Sequence, residues 1–118
     1  MSAAAEPKKI RVAVVGTGEF GRNHARVYRE LKGAELIGVY DQSPQRAAAV
    51  AQEFQAPVLQ GLEELQGRAD AVSLAVPTVA HAQVGCKLLE MGLDVLVEKP
   101  MAVDLAEADA LLDRKSVV

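Results

Sequence analysis

The residues IRVAVVGTGEFGRNHARVYRELKGAELIGVYD, numbers 10–41, combine a strand, a glycine-rich turn, a helix, a second strand and a terminal acid in one run. Residues 10–15 are apolar and rich in valine, which predicts a short strand buried on both faces, and residues 35–40 predict a second strand. The helix between them is expected to end at Gly33. Four of its residues recur at helical spacing and are expected to form its packed face: Phe20, His24, Val27 and Leu31.

The turn after the first strand, Gly16-Thr17-Gly18-Glu19-Phe20-Gly21, has the pattern G-x-G-x-x-G. Gly16 would allow the tight turn, Gly18 would let a pyrophosphate approach the backbone, and Gly21 would let the helix pack close to the sheet. Asp41 lies about 20 residues further on, where a carboxylate can accept hydrogen bonds from the adenosine ribose hydroxyls. A glycine turn alone is a weak signal, but in this context it predicts a dinucleotide-binding fold.

Strands and helices continue to alternate along the rest of the chain. Strands are predicted at 57–59, 70–76 and 93–97, with the start of a sixth at 115–118. Helices are expected to begin at Ser43-Pro44, at Thr78 and at Asp104, with one or two helical turns within 61–67. This alternation predicts an α/β fold, a doubly wound parallel sheet with right-handed crossovers and strand order 3-2-1-4-5.

The domain organisation and composition exclude several other classes of protein. Residues 1–7 are expected to be a flexible terminus and 8–118 a single dinucleotide-binding domain. The net charge is −3, aromatic residues make up 3%, and no basic cluster stands out, so neither nucleic acid nor a membrane is an expected partner. There is no apolar run long enough for a signal peptide or membrane span, and Cys86 is the only cysteine, which predicts a cytoplasmic protein. No metal-ligand spacing is present, so no metal site is predicted.

The triplet Glu98-Lys99-Pro100 completes a set of motifs that resembles a known family. Together with the glycine turn, Asp41, and Pro77 with His81, it is similar to the N-terminal domain of the glucose-fructose oxidoreductase, inositol dehydrogenase and MocA-like family of nicotinamide-dependent enzymes. The resemblance implies that Lys99 is the usual proton-transfer residue and that Glu98 lies beside the nicotinamide half of the cofactor. It also implies a C-terminal substrate domain, so we expect the chain to be a truncated piece of a longer enzyme.

The position of Lys99 supports the same role on physical grounds. It directly follows the fifth predicted strand, and ligands of open α/β sheets bind at the carboxyl ends of the strands. A lysine held there can take a proton from a substrate hydroxyl while hydride leaves the same carbon for the nicotinamide. The alternative is a solvated lysine ahead of a helix.

The predicted site consists of Lys99 as the catalytic residue and a larger set that binds the cofactor. That set comprises Gly16, Thr17, Gly18, Glu19, Phe20, Gly21, Asp41, Gln42, Arg46, Val76, Pro77, Thr78, His81 and Glu98. For His81 two roles stay open, namely contact with ribose or substrate, or completion of the helix start at Thr78. His24 is expected to be a packed, hydrogen-bonded histidine rather than a ligand.

The predicted function is that of the cofactor domain of an oxidoreductase acting on a hydroxyl or carbonyl carbon. The sugar-like or polyol substrate follows from the resemblance alone. NAD is preferred over NADP, because the Asp41 carboxylate repels a 2′-phosphate, although Arg46 is near enough to reverse this. The alternative is a non-enzymatic sensor module that binds NAD without turning over substrate. A homo-oligomer is expected, because the fifth strand, 93–97, would lie at an exposed sheet edge.

Overall fold

Four parallel strands form the central sheet of the computed structural model, which describes residues 8–97, 99 and 104–114. The strands are β1 (Ile10–Val15), β2 (Ala34–Tyr40), β3 (Ala71–Leu74) and β4 (Asp94–Val97), in spatial order β2-β1-β3-β4. The helices are α1 (Glu19–Glu30), α2 (Pro44–Phe54), α3 (His81–Glu90) and α4 (Leu105–Arg114), with 3-10 turns at Leu62–Leu65 and Thr78–Ala80. The predicted doubly wound α/β fold is thereby confirmed, and the strand order reverses between β1 and β3.

The segment 57–59 occupies the place predicted for the third strand, beside β2, but is not a strand. It forms a single bridge to β2. The amide of Val39 donates to the carbonyl of Pro57 (3.0 Å), and the amide of Leu59 donates to the carbonyl of Val39 (2.8 Å). Pro57 has no amide hydrogen to extend the ladder, which explains why the pairing stops there. The predicted sixth strand, 115–118, lies outside the described residues.

Alternate residues of β1 face opposite sides of the sheet, and both sides are covered. Ala13 and Val15 pack with buried residues that include Leu65, Leu74 and Leu88. On the other side, the buried residues are Val14, Ala25, Val39, Ala47, Val50 and Ala51. The central strand β1 is therefore enclosed from both sides, as its apolar run predicts.

The buried face of α1 differs from the predicted one. Phe20 is 64% exposed, and Val27 and Leu31 are also exposed, whereas Gly21 and Ala25 are buried. A Cβ placed on Gly21 would lie 1.6 Å from the carbonyl oxygen of Gly16. The small residues face the sheet because only they leave room for the helix to approach it so closely.

A polar cluster joins α1 to the centre of the sheet. Nδ1 of His24 lies 2.9 Å from Oγ of Ser73, a buried residue of β3, and the hydroxyl of Tyr28 is hydrogen-bonded to the same Oγ. The prediction of a packed, hydrogen-bonded His24 is confirmed, although its expected neighbours Phe20 and Val27 point elsewhere.

Most of the predicted helix starts are confirmed. Ser43 is the N-cap of α2 and accepts from the amide of Arg46 (3.4 Å), with Pro44 as the first residue. Asp104 accepts from the amide of Glu107 (2.9 Å) just before α4. The prediction for Thr78 is wrong, because a 3-10 turn intervenes and Ala80 is the N-cap of α3. No helix among the described residues is both long and apolar enough to cross a bilayer.

Candidate cofactor site

A cavity of about 710 Å³ opens where the strand order reverses, at the carboxyl ends of β1 and β3. Open α/β sheets bind their ligands in this kind of crevice. Its wall is formed by residues from the turns that follow the strands. They are Val15, Gly16, Gly18, Glu19, Phe20, Tyr40, Asp41, Gln42, Arg46, Leu62, Ala75, Val76, Pro77, Thr78, Val79, Ala80, His81, Val84 and Lys99.

Gly16 lies where the two central strands separate. Its φ is +98°, and a Cβ at this position would lie 2.6 Å from the carbonyl carbon and oxygen of Ala75 and from the amide nitrogen of Val76. Both the backbone conformation and the space therefore exclude a side chain. The glycine brings the loop after β1 into direct contact with the loop after β3.

Gly18 has a different environment from Gly16. It is the N-cap of α1 and has no side-chain cap, and a Cβ built on it would meet no atom within 4 Å. The first amides of a helix have no intrahelical partner, and they carry the positive end of the helix dipole. The open space at Gly18 thus leads to a helix start that is suited to an anion such as pyrophosphate.

The carboxylate of Asp41 is held in place by three donors. The amide and the hydroxyl of Thr17 donate to Oδ2 at 2.7 and 2.9 Å, and the amide of Ser43 donates to Oδ1 at 2.8 Å. A carboxylate offers about four acceptor positions. The remaining one is on Oδ1, which leaves Asp41 able to accept from one more hydroxyl.

The charge of Asp41 is stabilised by the same contacts. Partial burial raises the pKa of this carboxyl. The hydrogen bonds from Ser43 and Thr17 together lower the pKa by more than burial raises it, and the charge of Arg46 lowers it by a smaller amount. The net effect is a pKa below the ordinary value, so the group is an anion at neutral pH.

The loop after β3 is held to the cavity wall by His81. Its Nε2 lies 2.8 Å from the carbonyl oxygen of Val76, and the side chain is 1% exposed. The amide of Ala80 donates to the carbonyl of Pro77 (2.8 Å) and closes the 3-10 turn between them.

Two cationic and two apolar side chains complete the surroundings. Arg46 and Lys99 line the cavity and are exposed. Phe20, at the start of α1, and Val79, in the 3-10 turn, are large hydrophobic residues that line the cavity while remaining exposed. The described residues include no group of three or more His, Cys, Asp and Glu that could hold a metal ion.

The structure brings together most of the residues that the sequence predicts for the site. Thr17 and Gly21 lie behind the wall, where Thr17 holds Asp41 and Gly21 packs on Gly16, and Glu98 lies outside the described residues. Sequence reasoning missed several wall residues: Val15, Tyr40, Leu62, Ala75, Val79, Ala80 and Val84. Most of them adjoin a predicted residue in the sequence, but Leu62 carries no such signal, because it reaches the cavity from the separate 62–65 turn.

The sequence also matches known proteins. Residues 10–116 match the family model described as "Oxidoreductase family, NAD-binding Rossmann fold". The UDP-N-acetylglucosamine 3-dehydrogenase of Acidithiobacillus ferrooxidans is 38% identical over 103 residues, which are 87% of this chain and 32% of that protein. An inositol 2-dehydrogenase of Corynebacterium glutamicum is 33% identical over 122 aligned positions, covering 93% of this chain and 36% of that protein.

Solved structures agree with these matches. That of UDP-N-acetylglucosamine 3-dehydrogenase from Acidithiobacillus ferrooxidans has a TM-score of 0.85 at 37% identity, covering 90% of this chain and 34% of the other. The WlbA dehydrogenase from Bordetella pertussis, in complex with NADH and UDP-GlcNAcA, has a TM-score of 0.83 at 29% identity over 91% of this chain and 34% of the other. The chain spans about a third of the length of these relatives. With the glycine loop, Asp41 and the cavity in place, it belongs to the glucose-fructose oxidoreductase, inositol dehydrogenase and MocA family, as an NAD-binding Rossmann domain.

Proposed function

We propose that this chain binds NAD in the cavity between β1 and β3 and serves as the cofactor domain of a dehydrogenase of sugars or polyols. The observation that carries the proposal is the arrangement of Asp41 and the start of α1 on one cavity wall. An anionic acceptor and a set of helix amides are the two groups that an adenosine diphosphate requires. Relatives named for UDP-N-acetylglucosamine and inositol support the substrate class.

The residues of the cavity fit a dinucleotide at several points. The open space at Gly18 suits the pyrophosphate, and the remaining acceptor position on Oδ1 of Asp41 suits a ribose hydroxyl. The other proposed cofactor contacts lie along the wall: Gly16, Glu19, Phe20, Gln42, Arg46, Val76, Pro77, Thr78 and His81. Thr17 and Gly21 would act from behind by holding the loop, and Glu98 is proposed from the sequence alone.

Asp41 favours NAD over NADP. The carboxylate is ionised and close to the expected 2′ position, so a phosphate there would meet an unpaired negative charge. Arg46 lines the cavity and acts on the charge of Asp41, which makes it the one described cation near enough to reduce this repulsion.

Lys99 is the proposed proton-transfer residue. Bound NAD would accept hydride from the substrate carbon. The amino group of Lys99, exposed in the same cavity, would take the proton from the hydroxyl on that carbon. The hydride would thus pass to NAD and the proton to Lys99, and the substrate hydroxyl would become a carbonyl group.

We further propose that the protein works in the cytoplasm and forms homo-oligomers. The single cysteine, Cys86, fits a reducing compartment. Among the described residues β4 pairs with β3 alone, and Leu96 on β4 is 57% exposed. An edge strand with apolar side chains recruits a further strand or a second copy.

Calorimetric titration of the 118-residue chain with NAD, NADH and NADP tests the proposal. We expect NAD to bind more tightly than NADP, and Asp41→Ala to remove the preference. Asp94→Ala is the matched control, because it changes the charge equally at an exposed position outside the cavity wall. Absence of NAD binding, or tighter binding of NADP, would contradict the proposal.

A further inference from the structure

His81 is buried, polar and hydrogen-bonded to the backbone of the cavity wall. A carbonyl oxygen only accepts hydrogen bonds, so Nε2 of His81 must carry the proton that is donated to Val76 (2.8 Å). The ring lies at the first residue of α3, and its partner precedes the 3-10 turn 78–80. This one bond therefore closes the whole segment from 76 to 81.

The residues next to Val76 connect this bond to the glycine loop. The amide of Ala75 donates to the carbonyl of Val15 (2.8 Å), at the end of β1. Atoms of the Ala75–Val76 peptide lie only 2.6 Å from the position that a Cβ of Gly16 would take. The Val76 carbonyl that accepts from His81 therefore belongs to the residue whose amide nitrogen approaches the glycine loop.

We infer that His81 is a positioning residue of the NAD site, which acts through Val76 by holding the 76–80 wall against the glycine loop. The identity of the ligand, NAD, rests on the proposed function, whereas the contact between His81 and Val76 does not. The Nε2 proton is used within the wall, and the side chain is almost completely enclosed. The bond orders residues 76–80 before the cofactor arrives, which lowers the entropy cost of binding.

Glutamine and methionine replacements separate the hydrogen bond from the volume of the side chain. The amide nitrogen of glutamine is as many bonds from Cβ as Nε2 of histidine, so His81→Gln can still donate to Val76. His81→Met fills similar space without a donor and leaves the carbonyl unsatisfied. We expect the Kd for NAD to rise about tenfold in His81→Met, as for one lost hydrogen bond, and to stay within about threefold of wild type in His81→Gln.

A stability control distinguishes a specific loss of NAD binding in His81→Met from a general loss of stability. Ser73→Ala removes buried hydrogen bonds on β3, and Ser73 does not line the cavity. It should lower the melting temperature while leaving the Kd for NAD unchanged. If Ser73→Ala weakens NAD binding as much as His81→Met at a similar loss of stability, the positioning role is wrong.

Hydrogen exchange without NAD tests the same inference independently of binding. The amide of Ala80, bonded to Pro77 within the turn, should exchange faster in His81→Met and at the wild-type rate in His81→Gln. Equal exchange in wild type and His81→Met, or equal loss in both variants, would overturn the inference. Failure of wild type to bind NAD would instead refute the proposed function and leave this measurement valid.

Discussion

Thr17 donates two hydrogen bonds to one oxygen of Asp41, from its amide at 2.7 Å and from its hydroxyl at 2.9 Å. The two residues belong to different loops, one after β1 and the other after β2. The pair therefore fixes the acid relative to the glycine loop. Thr17 itself is buried and does not line the cavity, so it acts on the site from behind, through Asp41.

Thr17→Val tests this relationship, because it removes the hydroxyl and preserves the shape. We expect the free energy of unfolding to fall by about 1.5–3 kcal/mol, the range for a hydrogen bond to a charged group. The pKa of Asp41 should rise, since one of the bonds that stabilise its anion is lost. Urea unfolding and NMR titration of the carboxyl measure the two effects. Thr17→Ser, which retains the hydroxyl, should match wild type, and a Thr17→Val variant as stable as wild type would contradict the argument.

The glycines of the loop should separate binding from folding. An added methyl at Gly18 meets no atom within 4 Å, whereas at Gly21 it lies 1.6 Å from the carbonyl oxygen of Gly16. Gly18→Ala should keep its melting temperature and lose NAD affinity by about tenfold or more, because the methyl occupies the space proposed for the pyrophosphate. Gly21→Ala should lose about 3 kcal/mol or more of stability. Thermal unfolding paired with calorimetry distinguishes them, and normal NAD binding by Gly18→Ala would remove the pyrophosphate from that position.

Asp70 should make the stability of the chain depend on pH. Hydrogen bonds and the charge of Arg11 lower the pKa of Asp70 from 3.8 to about 2. A lowered folded-state pKa stabilises the fold above the unfolded value and loses that contribution as the pH falls through the folded value. The difference in free energy of unfolding between wild type and Asp70→Asn should be largest above about pH 4 and shrink toward pH 2.

The size of this difference should be modest, because the two side chains of the Arg11–Asp70 pair are 35% and 41% exposed. Added salt should reduce it further. Urea unfolding at a series of pH values measures it. A difference that stays constant from neutral pH to pH 2 would show that the ion pair does not form as described.

Lys99→Ala should affect chemistry rather than cofactor binding. In a protein that joins this chain to a substrate domain, we expect kcat to fall by about 10²–10⁴, the usual contribution of a general base, with little change in the Kd for NAD. Lys87→Ala is the matched control, since Lys87 is exposed on α3 and does not line the cavity. A wild-type rate in Lys99→Ala would exclude the lysine from proton transfer.

The edge of β4, which pairs with β3 alone among the described residues, should drive association of the 118-residue chain. Leu96→Lys places a charge on the exposed apolar position of this strand and should shift sedimentation toward monomer at micromolar concentration. Leu31→Lys, an equally non-conservative change at the end of α1, should leave the distribution unchanged. A wild-type chain that is already monomeric would refute this prediction.

The glycine loop and Asp41 could be predicted because their chemistry is local. A positive φ, a missing Cβ and a carboxylate at the end of a strand can each be inferred from a few neighbouring residues. The packed face of α1 could not be inferred in this way. Apolar spacing favoured Phe20 and Val27, whereas clearance beneath the helix required Gly21 and Ala25. Hydrophobic periodicity indicates which side chains a helix can bury, but it does not indicate how closely the helix must approach the sheet.

The start of α3 and the place of Leu62 in the cavity wall were not predicted correctly, for a different reason. Thr78 has the residue type of an N-cap, but the carbonyl of Pro77 already accepts from Ala80, and the N-cap of α3 lies two residues later than predicted, at Ala80. Leu62 reaches the cavity only because its loop folds over the sheet. Such long-range placement depends on how loops meet across the fold, which spacing along one chain does not reveal.

The cluster of His24, Ser73 and Tyr28 has only one hydrogen on its central hydroxyl, and this limits how its bonds can point. The serine can donate in only one of its two bonds, so it must accept in at least one of them. The donor in that bond is His24 or Tyr28, and both lie on α1. At least one side chain of α1 therefore donates a hydrogen bond to a buried oxygen at the centre of the sheet.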